Sequence, residues 1–221
     1  MLTTGNDFIG DNEYVFMRAL AALPNGGAIN IGFGQYNLGN SIIIPPGAYE
    51  FNGLGSFITV LSTTSALMVS GGIVLFQDIH FSMDNLLTEF ESIILDNAAS
   101  NISIINCDFS GSIYGVYINS YNSTIFQRSL YLDNCKFDNS QRTGVSDPNR
   151  GTVLATNINC YNCTFTGSNS YDQTHLTINS GILTHCYFSR GLFTCYPNNP
   201  IKIVGCDFIN TALSVYGVDS D

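Results

Sequence analysis

Charge is scarce in this sequence. Of its 221 residues only 11% are Asp, Glu, Lys or Arg, and the seven Lys and Arg are spread singly along the chain. Nucleic-acid binding needs clustered cations to displace counterions, and seven scattered ones against seventeen acidic residues build no such patch. The formal net charge of −10 disfavours an anionic membrane surface for the same reason. Long apolar runs are missing too. None approaches the roughly 20 residues of a spanning helix, so membrane insertion is not expected. The opening MLTTGNDFIGDNEY has no basic n-region and no apolar h-region, so no Sec signal peptide is expected.

What is present is a 45% share of hydrophobic residues, enough for one domain with its own core. The surface therefore falls largely to Asn, Ser, Thr, Gly and Tyr. Such a neutral polar coat is more usual on secreted, cell-surface or virion proteins than on cytosolic enzymes.

Internal repetition decides the architecture. Five blocks align without gaps: ISIINCDFSG (102–111), LYLDNCKFDN (130–139), INCYNCTFTG (158–167), GILTHCYFSR (181–190) and IKIVGCDFIN (201–210). An earlier block, VLFQDIHFSM (74–83), carries Ile79 where the others carry Cys. Their phenylalanines, Phe81, Phe109, Phe137, Phe165, Phe188 and Phe208, are separated by 28, 28, 28, 23 and 20 residues. Ahead of each bend, one apolar column runs Val74, Ile102, Leu130, Ile158, Gly181, Ile201. A second runs Phe76, Ile104, Leu132, Cys160, Leu183, Ile203. Alternation at period two describes a strand with one buried face.

Between that strand and the Cys/Phe pair stands Asp78, Asn106, Asn134, Asn162, His185 or Gly205. These residue types tolerate the left-handed backbone conformation, which turns the chain within one residue. A third strand per repeat is expected at SIILDN (92–97), GVYINS (115–120), GTVLATN (151–157), THLTINS (174–180), GLFTCY (191–196) and ALSVYG (212–217). Three short strands per turn describe an all-β, three-sided, right-handed parallel β-helix. A β-sandwich of hairpins is the alternative. It calls for tight Asn-Gly or Asp-Gly turns, and the only Asn-Gly pairs, Asn25-Gly26 and Asn52-Gly53, precede the repeats.

The blocks resemble the pectin-lyase-like superfamily of parallel β-helices, which includes pectate lyases, polygalacturonases and bacteriophage tailspikes. The bend column from Asp78 to Asn162 is similar to that family's asparagine ladder. Residues 11–24, DNEYVFMRALAALP, read as a short amphipathic helix capped by Asp11 or Asn12, with Phe16, Ala19, Leu20 and Leu23 on one face. The following GGAINIGFGQYNLGNSIIIPPGAYEFNGLGS (26–56) resembles a tailspike-type opening. The expected organisation is a cap over 1–25, the β-helix over 26–217 and a tail over 218–221. The resemblance speaks for fold more than function, because one solenoid serves lyases, hydrolases and inert adhesins alike.

Candidate chemistry is thin. Cys160-Tyr-Asn-Cys163 has the spacing of half a zinc site, but no second pair completes it, so no metal and no cofactor are expected. The seven cysteines are expected to be mostly free buried thiols, because stacked parallel Cβ atoms about 4.8 Å apart exceed ordinary disulfide spacing. Glycan hydrolysis needs two carboxylates facing each other at about 5–9.5 Å. The third-strand column, where the resemblance places active sites, offers Asp96, and Glu89, Glu91 and Asp96 cluster in DNLLTEFESIILDN. These are the weak catalytic candidates, a solvated loop being the plainer reading. Tyr117, His175 and Tyr196 are the candidate glycan contacts.

The composite expectation is a non-enzymatic structural or adhesive protein of a virion, assembled in the host cytoplasm. Its partners would be itself, as a homotrimer by family analogy, or other virion proteins, with surface polysaccharide as a further ligand. A polysaccharide lyase or glycosidase is the alternative, and a passive glycan-binding module the third reading. The short VDSD ending after ALSVYG is expected to leave the final coil for a partner to cover.

Overall fold

The computed structural model describes residues 12–60, 67–83, 91–95, 99–110, 114–118, 129–138, 143–146, 157–167, 174–178, 180–195 and 200–215. The chain winds as a parallel β-solenoid behind one short helix, α1 (Asn12–Ala22). Every described strand pairing is parallel, and the pairings resolve into three ladders. The first face stacks Gly26–Asn30, the leading halves of Ala48–Val60 and Gly72–Met83, then Ala99–Ile105, Ser129–Asp133, Asn157–Tyr161, Ser180–Thr184 and Ile201–Val204. The second stacks Gln35–Leu38, the trailing halves of the same two long strands, Asp108–Ser110, Lys136–Asp138, Thr164–Thr166, and the leading parts of Tyr187–Cys195 and Asp207–Val215. The third stacks Ile42–Ile44, Leu67–Val69, Glu91–Leu95, Tyr114–Ile118, Thr143–Ser146, Thr174–Ile178 and the trailing parts of those last two strands. No hairpin sandwich is compatible with these pairings.

The one-residue bend between the first two faces is where sequence and backbone meet most directly. Asp78, Asn106, Asn134, Asn162 and His185 all take φ between 51° and 55°, and Gly205 takes 60°. Each asparagine amide in the column donates forward to the next coil, as from Asn134 to Tyr161 O at 3.0 Å. Two residues later the stitching runs backward, Lys136 N donating to Cys107 O at 3.0 Å. Backbone hydrogen bonds to both neighbouring coils thus continue across the bend, although a left-handed residue sits at each of these positions.

A second bend was not legible in the blocks. Arg190 (φ 57°) and Asn210 (φ 50°) turn the chain from the second face to the third within one residue. In those two coils the strand runs on through the corner, and at Arg190 this accounts for the short 20-residue step from Phe188 to Phe208.

One strand assignment from sequence is corrected. The third-face strand of its coil is Thr143–Ser146, where Val145 stands in register between Val116 and Leu176. Residues 151–156 lie outside the described residues, and Asn157 already opens the next first-face strand. GTVLATN is the more apolar stretch, but Val145 takes the ladder position that Val116 and Leu176 hold on either side.

The core is a set of columns. On the second face Phe81, Phe109, Phe137, Phe165, Phe188 and Phe208 stack with centroids 4.7–4.9 Å apart and planes within 9° of parallel. That spacing matches the strand repeat, so identical rings in register stack offset without adjustment. Beside them, Cys107, Cys135, Cys163, Cys186 and Cys206 form a thiol column, and all seven cysteines are free. Helix α1 closes the first coil. Phe16, Ala19 and Leu20 are buried, Phe16 meets Tyr36 edge to face at 5.9 Å, and the Glu13 carboxylate accepts from the backbone amides of Gly39 and Asn40. At the other end the last described coil leaves Ile203, Phe208, Leu213 and Val215 partly exposed. Among the described residues no helix is long and apolar enough to cross a membrane.

The buried thiols make stability pH-dependent. Burial holds Cys107, Cys195 and Cys206 above the ordinary thiol value. At Cys160 a hydrogen bond with Cys163 pulls down, but burial and the adjacent thiols together outweigh it. Cys186 moves the other way, to about 7, because Cys163 donates to it. A neutral group with a raised folded pKa contributes fully below its unfolded pKa and loses that contribution as pH rises toward the folded value. The lowered Cys186 thiol works in the opposite sense: its stabilisation grows as pH rises from its folded value to about 9, where the unfolded thiol also ionises, and is constant above that. The urea midpoint is therefore expected to fall steadily above about pH 9, the ordinary thiol range. A midpoint flat between neutral pH and pH 11 would count against the buried-thiol account.

Candidate functional site

The outer surface along the first bend carries a connected set of polar side chains. A hollow of about 310 Å³ lies there, lined by Asn106, Asp108, Asn134, Cys135, Lys136, Asn162 and Thr164. One wall is the bend column. Asn106 Nδ2 donates to Asp78 Oδ1 at 3.1 Å, and Asn134 Nδ2 to Asn106 Oδ1 at 2.8 Å. The ladder then breaks step, because Asn162 Nδ2 donates instead to Asp133 Oδ1 at 3.2 Å. The other wall is an outward column of the second face, where register aligns Phe57, His80, Asp108, Lys136, Thr164, Tyr187 and Asp207. Phe57 stacks on His80 at 4.8 Å, His80 Nδ1 lies 2.9 Å from Asp108 Oδ2, and Lys136 reaches Asp138 at 3.2 Å.

Across the bend, on the outside of the first face, Tyr131, Asp133, Asn159 and Tyr161 form a two-by-two cell. Register places Tyr131 against Asn159 and Asp133 against Tyr161. The two tyrosine rings lean together along the diagonal, with centroids 5.4 Å apart and planes 36° apart. Tyr131 Oη donates to Asp133 Oδ2 at 3.2 Å. Burial first, and the Asp133 charge second, hold the Tyr131 phenol above its ordinary value. Asn159 Oδ1 is shut off from solvent and accepts no hydrogen bond.

Of the residues singled out from sequence, Glu91, Tyr117 and His175 sit on the third face, away from this surface. Glu91 opens the strand Glu91–Leu95, in register with Tyr114. Tyr117 is in register with Ile94 on one side and Ser146 on the other. His175 falls where the register shifts between Thr174 and Leu176. Glu89, Asp96 and Tyr196 lie outside the described residues. The described backbone therefore spreads Glu91, Tyr117 and His175 over separate coils of one face. The Tyr131–Tyr161 cell escaped sequence reading because its members are diagonal neighbours on different coils. The available signal was the outward Tyr131, Asp133 and Tyr161 just ahead of the bend in LYLDNC and INCYNC.

What the surface can do chemically follows from its pairings. The carboxylates of Asp78, Asp108, Asp133 and Asp138 are all engaged with neighbouring side chains. Among the described residues no group of three or more His, Cys, Asp or Glu is arranged to hold a metal ion. The remaining offer is one of hydrogen-bonding amides, hydroxyls and aromatic rings.

No protein family and no curated protein matches this sequence. Among solved structures, the chain superposes on tailspike protein gp49 of Acinetobacter baumannii bacteriophage Fri1, a capsular polysaccharide depolymerase, with a TM-score of 0.65 and 13% identity. The match covers 94% of this chain and 49% of the tailspike, so the chain spans about half the length of that protein. Geobacillus virus E2 ORF18 gives a looser overlap, with a TM-score of 0.37, 12% identity, and coverage of 97% and 60%. At such identities the likeness is one of fold, and the chain is similar in fold to a phage tailspike.

Proposed function

We propose that this chain is a structural or adhesive β-helix of a virus particle, of the pectin-lyase-like kind, acting without catalysis in a homo-oligomer or docked on other virion proteins. The observation that carries this reading is the fold overlap with a tailspike along nearly the whole chain. The engagement of the bend carboxylates in side-chain hydrogen bonds and ion pairs supports a binding rather than a hydrolytic surface. Localisation in the virion follows from the same reading.

Two measurements test it. Antibody labelling and mass spectrometry of purified particles are expected to find the chain in the particle. Light scattering after size-exclusion chromatography is expected to give a trimer. A monodisperse monomer that is absent from particles would overturn the proposal.

That tailspike is a capsular polysaccharide depolymerase, which favours a second reading, a polysaccharide lyase or glycosidase. Reducing-end and unsaturated-product assays on acidic and neutral polysaccharides decide between the two. Turnover abolished by Glu91→Gln would establish the second.

A further inference from the structure

We propose that the Tyr131–Tyr161 cell on the outside of the first face is a binding subsite for a neutral saccharide. This rests on the adhesive reading and adds to it a place on the fold and a ligand chemistry.

Three observations converge on the cell. The half-buried, tilted pair of tyrosine rings offers apolar faces of the size that the C–H face of a pyranose covers. The Tyr131 hydroxyl is oriented by Asp133, whose second oxygen is fixed by Asn162. That carboxylate is thus held from two sides and keeps acceptor capacity for a ligand hydroxyl, since an ionised carboxylate offers about four lone-pair sites. The third observation is the orphaned Asn159 carbonyl oxygen, closed to water and without a donor. A buried acceptor left unmade costs stability, so a ligand O–H gains more there than one exchanged against water, provided that a neighbouring ring shifts on binding to uncover it. Asn159 stands in register beside Tyr131 and two residues before Tyr161, so it completes the cell that the two rings span.

Electrostatics select the ligand class. Asp133 belongs to the cell, Asp78 and Asp108 lie along the adjoining bend, and the cation nearest the hollow, Lys136, is paired with Asp138. With a net charge of −10 behind it, this surface repels uronic or sialic acids. A neutral sugar, rich in hydroxyl donors, suits an acceptor-dominated cell.

The test is an array carrying neutral glycans with glucose, galactose or N-acetylglucosamine termini beside sialylated and uronic-acid glycans, probed with the whole chain. Wild type is expected to bind neutral glycans, and Tyr131→Ala and Asn159→Leu are each expected to weaken that binding by about tenfold or more. Circular dichroism and thermal melting check that both variants fold. Asn159→Leu separates the roles, since an orphan with a purely structural meaning would raise the melting temperature and leave binding untouched. That result, or binding confined to acidic glycans, overturns the subsite. Neutral-glycan binding unaffected by either variant overturns the subsite while leaving the adhesive reading intact. No glycan binding by wild type that is nonetheless found in particles overturns the subsite and reduces the function to a structural one.

Discussion

Gly181→Ile is expected to prevent stable folding, although the sequence columns invite the substitution. Gly181 occupies an inward column between Ile158 and Ile201, its partners in register on either side, and a missing side chain there reads as a cavity to fill. The backbone refuses it. Gly181 has φ 138°, and a Cβ built on it would lie 1.8 Å from the Ile158 carbonyl oxygen and 2.7 Å from its carbon. The first-face strands must therefore separate, breaking ladder bonds on both sides. The combined cost of a disallowed φ and a backbone clash exceeds about 4 kcal/mol. Even Gly181→Ala meets the same oxygen and is expected to be strongly destabilising. Urea unfolding followed by far-ultraviolet circular dichroism gives the answer. A Gly181→Ile protein as stable as wild type would show that this coil does not approach its neighbour so closely.

The second large effect concerns the phenylalanine column. Phe137 is buried and has a parallel ring on each side, Phe109 at 4.7 Å and Phe165 at 4.8 Å. Phe137→Ala removes both stacking contacts and leaves a cavity in the middle of the solenoid, where only neighbouring coils could collapse into it. The expected loss is about 3–5 kcal/mol. Phe208→Ala is the internal control. That ring has one stacked neighbour, Phe188 at 4.8 Å, and is 38% exposed, so its truncation is expected to cost well under half as much. Paired urea melts would measure the difference. Equal costs at the two positions would contradict the column account, because in a solenoid stability is a sum of nearest-neighbour terms.

The legibility of this protein was uneven, and particular residues show why. The first bend was readable because its conformation restricts chemistry. Asn106, Asn134 and Asn162 adopt a φ that most side chains avoid, so the residue type itself records the geometry. The second bend was hidden because it occurs in only two of the described coils, and Arg190, in one of them, is not a residue that advertises a left-handed conformation. The third face was misread at one coil for a related reason. Thr143–Ser146 is a short, mostly polar run, so hydrophobicity pointed to the apolar stretch further on.

The candidate surface was less legible still. Outward positions in a β-helix are under no packing constraint that repeats, so their identities vary from coil to coil. Tyr131 and Tyr161 are separated by thirty positions in number and meet only because successive coils stack in register. His80 and Asp108 come together in the same way. By contrast Glu91, Tyr117 and His175 were singled out for residue type, and stacking assigns them to a different face.

Sequence alone determined the solenoid, the bend column, the Cys and Phe core columns and the capping helix, because each repeats a local constraint that composition and period must satisfy. Tertiary structure decided which outward residues share a surface, where the asparagine ladder breaks step toward Asp133, and why Gly181 cannot be an isoleucine. Those are distances between coils, and a one-dimensional pattern carries the period of the stacking without the contacts that stacking creates.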